Sequence, residues 1–85
     1  MRGGAVIKEL NKYLKQDREQ LRDTVSLGDV KKSIQIVERL GVSKNKICLL
    51  SGVYASNYNS YEKGHRPLPD HNKTKILKTI TDIFL

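Results

Sequence analysis

The sequence predicts an all-α protein, and three features of it support this fold class. Its 85 residues are enough for one small domain and too few for two. Apolar side chains recur at helical spacing along most of the chain, and no stretch alternates apolar and polar residues as a half-buried strand does. The two prolines are Pro67 and Pro69, so nearly everything before them can be helical. We therefore expect a thin core of several short helices.

The first predicted helix covers residues 5–23 and is amphipathic. Charged residues fill the positions between its apolar side chains. The apolar positions are Val6, Ile7, Leu10, Leu14 and Leu21, with Tyr13 beside them. This helix has two interpretations: it packs on the core of its own chain, or it mediates dimerisation or binding of another protein. The first is favoured, because so small a chain needs that apolar surface for its core.

The second predicted helix follows the segment Ser26-Leu27-Gly28-Asp29, which has the pattern of a capping box. The Ser26 hydroxyl would accept a hydrogen bond from a backbone amide in the first turn of this helix. The Asp29 carboxylate would interact favourably with the positive N-terminal end of the helix dipole. Gly41 would end the helix in the left-handed conformation. The residues predicted on its buried face are Val30, Ile34, Val37 and Leu40.

Three further helices are predicted in the rest of the chain. Ser43 would cap a third helix, which ends at Gly52 and buries Ile47, Cys48 and Leu50. A fourth would run over residues 55–63 and end at Gly64. Residues 65–70 form a stiff extended connector, because each proline restricts its own backbone and that of the residue before it. A last helix at 71–83 would bury the apolar residues Ile76, Leu77, Ile80 and either Ile83 or Phe84.

The third and fourth helices meet at a tight turn built on Gly52. The small Cys48 lies four residues before this glycine, where two crossing helices approach closely, and Val53 would fill the corner. Two short helices joined in this way are typical of a helix-turn-helix, whose second helix enters the major groove of DNA.

This segment resembles the phage-repressor and Cro family, also called XRE-type or lambda-repressor-like. The strongest similarity lies in Ser51-Gly52-Val53 and in the segment Tyr61-Glu62-Lys63-Gly64-His65-Arg66-Pro67-Leu68-Pro69. The match is ungapped from Gly41 to Leu68, and Ile47-Cys48 replaces the leucine-alanine pair usual in the family. The resemblance implies a lambda-repressor-like bundle of four to five helices, here with an additional N-terminal amphipathic helix. Residues 1–28 would form that helix and a turn, and residues 29–85 the DNA-binding domain.

The resemblance also implies roles for individual side chains. Four residues on the outer face of the fourth helix would read base edges: Ala55, Ser56, Asn59 and Ser60. Six residues would contact backbone phosphates: Lys44, Tyr54, Asn57, Lys63, His65 and Arg66. Tyr58 and Tyr61 would belong to the core, where the family has apolar side chains. The polar run on this helix has a simpler interpretation as a solvated surface, but its residues have weak helix propensity. Contacts with base edges account for them better.

The amino-acid composition limits which binding partners and which cellular compartment suit this protein. The formal net charge is +7, spread along the chain, which fits a folded basic surface that binds a polyanion. A well-solvated surface with no specific partner fits the charge alone equally well. Cys48 is the only cysteine, so no internal disulfide forms, which fits a reducing cytoplasm. No apolar run approaches the roughly 18 residues of a membrane span, and the start lacks the apolar stretch of a secretory signal. We expect a cytoplasmic protein that does not bind membranes.

The sequence contains no recognisable catalytic or metal-binding pattern. His65 and His71 have no cysteine or carboxylate pair at metal-ligand spacing, and the acidic residues at 17, 19 and 23 have basic neighbours typical of surface ion pairs. We therefore expect no enzyme activity and no cofactor. The predicted function is a transcriptional regulator, a repressor from a phage, plasmid or other mobile element, that binds double-stranded DNA as a homodimer. The alternative is a protein-binding module, an antirepressor or inhibitor of another regulator, that acts through its N-terminal helix.

Overall fold

The computed structural model describes residues 15–85, which form five helices and no strand. Helix α1 occupies residues 15–26 of this part of the chain. The others are α2 (Val30–Arg39), α3 (Lys44–Ser51), α4 (Ala55–Glu62) and α5 (Asp70–Phe84). The all-α prediction is confirmed for these residues. Val6, Ile7, Leu10, Tyr13 and Leu14 of the first predicted helix lie outside the described residues.

The junction between α1 and α2 differs from the predicted capping box. Helix α1 continues through Ser26, and Gly28 ends it in the left-handed conformation with a φ of 74°. Asp29 is the N-cap of α2, and its carboxylate accepts a hydrogen bond from the Lys32 amide at 3.1 Å. The role assigned to Ser26 is therefore wrong. Ser26 lies in the last turn of the preceding helix, before the turn that leads into α2.

Helix α1 is attached to α2 by one buried apolar residue and one buried hydroxyl pair. The Leu21 side chain is fully buried in the core shared with the other helices. Thr24 Oγ1 donates to the Leu21 carbonyl at 3.0 Å and accepts from Ser33 Oγ of α2 at 2.9 Å. Both hydroxyls thus have partners inside the protein, as buried polar groups require. The described part of α1 therefore packs on its own chain's core.

The core lies between α2, α3 and α5, and α5 packs against both of the other helices. Val30, Ile34 and Val37 are buried, as the periodicity of α2 predicts. Two core residues were not predicted, Ile36 in α2 and Leu68 in the connector. Leu68 shows that the connector, although irregular, is held against the core by one apolar side chain.

One apolar residue that was predicted to be buried is exposed. Leu50 is 52% exposed, so its assignment to the core is wrong. The buried side of α3 is defined by Ile47 and Cys48, and Leu50 points roughly a third of a turn away from their mean direction. At the end of α5, Ile83 is exposed and Phe84 packs against the core. The sequence predicted that one of these two residues would be buried, and it is Phe84. No helix within residues 15–85 is both long and apolar enough to cross a membrane.

Candidate nucleic-acid interface

Helices α3 and α4 are joined by the three residues Gly52, Val53 and Tyr54. Gly52 has a φ of 72°, and a Cβ atom placed on it would meet nothing within 4 Å. Glycine is therefore needed here for backbone conformation and not for space. The Val53 amide donates to the Cys48 carbonyl at 3.0 Å, and both side chains are buried at the corner. Burial also raises the pKa of the Cys48 thiol, which keeps it protonated. The predicted corner is present.

Helix α4 buries few of its residues completely. Only Tyr58 is buried among its eight residues, whereas α2 buries five of ten. Ser56 and Asn57 are exposed, and Asn59 and Ser60 are partly exposed. The fourth predicted base-reading residue, Ala55, packs against the core and is only partly exposed. The helix therefore presents a surface of short polar side chains.

Two tyrosines attach α4 to the rest of the protein. Tyr58 is 1% exposed, as predicted for a core residue, and its ring centroid lies 6.0 Å from that of Tyr61. Burial raises the pKa of the Tyr58 phenol, whose oxygen has no hydrogen-bond partner among the described residues. Tyr61 is partly buried, and two ammonium groups lie over its ring, Lys31 at 4.7 Å and Lys73 at 5.5 Å from the centroid. These cations belong to α2 and α5, so positive charge from both helices is held close to α4.

The carboxylate of α4 is neutralised by α3. Glu62 is the only acidic residue between positions 55 and 62, and its Oε1 lies 3.2 Å from the Lys44 ammonium. Both side chains are about one-third exposed. The predicted phosphate ligand Lys44 is therefore engaged by Glu62 in the free protein. The pair leaves the surface of α4 without an unpaired acidic group.

The basic residues that follow α4 are exposed. Gly64 turns the chain with a φ of 80°, and the His65 amide donates to the Ser60 carbonyl at 2.8 Å. This fixes the backbone of His65 against the end of α4. The side chains that it places after the helix are Lys63, His65 and Arg66, all exposed.

Two predicted phosphate ligands meet at one cavity. Asn57 of α4 and Arg66 of the connector line a cavity of about 170 Å³, together with Asn72 near the start of α5. Sequence reasoning missed Asn72. The sequence feature that could have identified it is its position, in the first turn of a helix directly after a basic connector that contains prolines. Pro67, Leu68 and Pro69 form the rest of the lining, so the cavity is partly apolar. Its three polar residues carry amide and guanidinium groups, which can donate to phosphate oxygens.

An exposed apolar surface at the α3–α4 corner was also missed. Leu49 is 72% and Tyr54 is 78% exposed, and they line a shallow cavity of about 240 Å³ with three corner residues. Those three are Cys48, Gly52 and Val53. Tyr54 precedes α4 and makes no side-chain capping hydrogen bond, so its hydroxyl is accessible at the start of that helix.

Comparison of the sequence with models of known protein families, with characterised proteins and with solved structures found no match. Within residues 15–85, no three His, Cys, Asp or Glu side chains are grouped so that they could hold a metal ion.

Proposed function

We propose that this chain is a sequence-specific, double-stranded DNA-binding transcriptional regulator of the helix-turn-helix class. In this proposal α4 lies in the major groove, and α3 crosses the sugar-phosphate backbone. The protein acts as a repressor in the cytoplasm of a bacterial cell or an infected host. Bound at its operator, it excludes RNA polymerase.

The observation that carries the proposal is the surface of α4. Tyr58 is its one fully buried residue, Ser56 and Asn57 are exposed, and its one carboxylate is paired with Lys44. Serine and asparagine side chains offer the hydrogen-bond donors and acceptors that base edges match. An unpaired carboxylate would repel the phosphates on either side of the groove, and the described part of α4 has none.

The charges around α4 suit the two sugar-phosphate backbones. Lys63, His65 and Arg66 follow its C-terminal end, and Lys44 and Lys46 lie at the start of α3. Such contacts are independent of sequence and position the protein on the duplex. They also release counterions, so we expect the affinity to fall steeply with increasing salt concentration.

The proposed assembly is a homodimer on two half-sites. A short helix contacts only a few base pairs, and a second copy one helical turn away, about 34 Å, doubles the site that is read. The alternative, a protein-binding module that acts through its N-terminal helix, is less well supported by the described part of α1. There Leu21 is buried in the chain's own core, and the residues on the outer side are polar.

The proposal is tested by selecting bound duplexes from a random DNA pool at low salt and sequencing them. The full chain should enrich one motif with two-fold symmetry. Ser56→Ala should relax the preference at one position of each half-site. Lys78→Ala, an exposed residue of α5, serves as a control that keeps the motif. Absence of any enrichment, together with no binding to DNA upstream of the protein's own gene, would rule out the DNA-binding function.

A further inference from the structure

The amide group of Asn59 is held with one end inside the protein. Asn59 is partly exposed, but its Oδ1 is buried and has no hydrogen-bond partner among the described residues. Rotating the amide by half a turn would bury the NH2 group instead, and two N–H donors would then lack acceptors. Unpaired buried donors are rarer in proteins than under-satisfied carbonyl oxygens. The orientation with Oδ1 inside and Nδ2 outside is therefore the preferred one.

This orientation changes what Asn59 can recognise. An asparagine that specifies adenine uses both ends of its amide, because Oδ1 accepts from adenine N6 and Nδ2 donates to N7. With Oδ1 buried, only the donor end is available to DNA. Guanine presents two adjacent acceptors in the major groove, N7 and O6, whereas the exocyclic group of cytosine is a donor.

We infer that Asn59 acts as a donor-only contact that selects guanine over adenine at one position of each operator half-site. The inference rests on the proposed DNA-binding function and adds the chemistry of one recognised base. The Nδ2 group donates to guanine N7 and O6, and Oδ1 stays inside the protein. Adenine has only one acceptor, N7, at the corresponding place. Its N6 amine is itself a donor and would face the Asn59 Nδ2 donor without forming a hydrogen bond.

Selection from a random pool, repeated with Asn59→Ala, tests this inference. The wild-type motif should contain a guanine that the variant no longer requires, while all other positions are retained. Lys78→Ala, at an exposed position of α5, should leave that guanine in place. Circular dichroism and thermal unfolding of each variant show whether it is folded.

A chemical variant of the DNA tests the contact itself. Replacing the selected guanine with 7-deazaguanine removes the N7 acceptor and keeps Watson–Crick pairing. The wild-type protein should lose about three- to tenfold in affinity, the usual range for one hydrogen bond, and Asn59→Ala should lose nothing further.

The outcomes separate the two proposals. An adenine at the position that Asn59→Ala relaxes, or equal sensitivity of both proteins to 7-deazaguanine, would overturn the donor-only contact and leave DNA binding intact. If the pool yields no enriched sequence with any of the proteins, both proposals are overturned.

Discussion

The Lys44 ammonium lies 3.2 Å from the Glu62 carboxylate, and this pair joins the first residue of α3 to the last residue of α4. Both side chains remain partly in contact with solvent, so the pair contributes at most about 1 kcal/mol to stability. Its main effect is on charge. It cancels the acidic group of α4 and at the same time occupies a lysine that the proposed complex places beside phosphate.

Replacing Glu62 should therefore strengthen DNA binding. Glu62→Gln keeps the shape of the side chain, removes its negative charge and frees Lys44 to contact phosphate. We expect an increase in affinity of several-fold at low salt, equal for specific and unrelated duplexes, because phosphate contacts carry no sequence information. Fluorescence anisotropy with labelled duplexes measures the affinity for the specific duplex and for the unrelated one. Unchanged or weaker binding would show that Glu62 does not face DNA.

Lys44→Ala gives the opposite test of the same pair. It removes a cation and leaves the Glu62 carboxylate unpaired beside the backbone, so binding should weaken for all sequences alike. Lys78→Ala removes the same charge from an exposed position of α5 and should have a smaller effect. An equal loss in the two variants would mean that only net charge matters.

Arg66 should contribute to affinity without contributing to specificity. Arg66→Ala removes the guanidinium from the cavity that it lines with Asn57 and Asn72. We expect weaker binding to every duplex, and a slope of log affinity against log salt that is smaller by about one. Titrations at four or five salt concentrations measure this slope. If the slope is unchanged while base preference shifts, Arg66 contacts a base and not a phosphate.

The Tyr58 hydroxyl is predicted to be dispensable for folding. It is buried without a partner among the described residues, so removing it deletes an unsatisfied polar group and leaves the ring packing intact. Tyr58→Phe should be as stable as the wild type or more stable by about 1 kcal/mol, whereas Tyr58→Ala should lose about 3–5 kcal/mol. Urea unfolding gives both values. A marked destabilisation of Tyr58→Phe would mean that the hydroxyl has a partner.

Gly52 offers a test of the α3–α4 corner that does not disturb the core. Since a Cβ atom at this position meets nothing within 4 Å, Gly52→Ala adds only the strain of an alanine at a φ of 72°. The expected loss is about 1–2 kcal/mol, and Gly52→Asn should lose less because asparagine tolerates this conformation better. Equal stability of all three proteins would contradict the left-handed turn.

The sequence predicted the helices well because local signals define them. Gly41, Gly52 and Gly64 all adopt positive φ where helices were expected to end, and Ser43 caps α3 by accepting from the Lys46 amide at 3.2 Å. Apart from the capping role assigned to Ser26, which is a local error, the errors concern tertiary packing. Leu50 fits the apolar pattern of α3 but is 52% exposed, and Leu68 is buried although it lies in an irregular segment. Neither position can be derived from spacing along one helix.

The sequence predicted which residue types form the candidate site more completely than it predicted how they are arranged. The exposure of Ser56 and Arg66 follows from the pattern of polar and basic residues around α4. The pairing of Lys44 with Glu62 does not follow from this pattern, because the two residues are 18 positions apart and meet only where α3 and α4 pack together. The buried Oδ1 of Asn59 likewise depends on how closely α4 lies against its neighbours.

The central claim, that α4 enters the major groove, is tested most directly by dimethyl sulfate footprinting on a duplex selected from the random pool. This reagent methylates guanine N7 in the major groove and adenine N3 in the minor groove. The bound protein should protect guanine N7 within each half-site, and Asn59→Ala should weaken that protection at the guanine that Asn59 contacts. Full methylation of every guanine N7 in a complex shown to be saturated would contradict major-groove binding by α4.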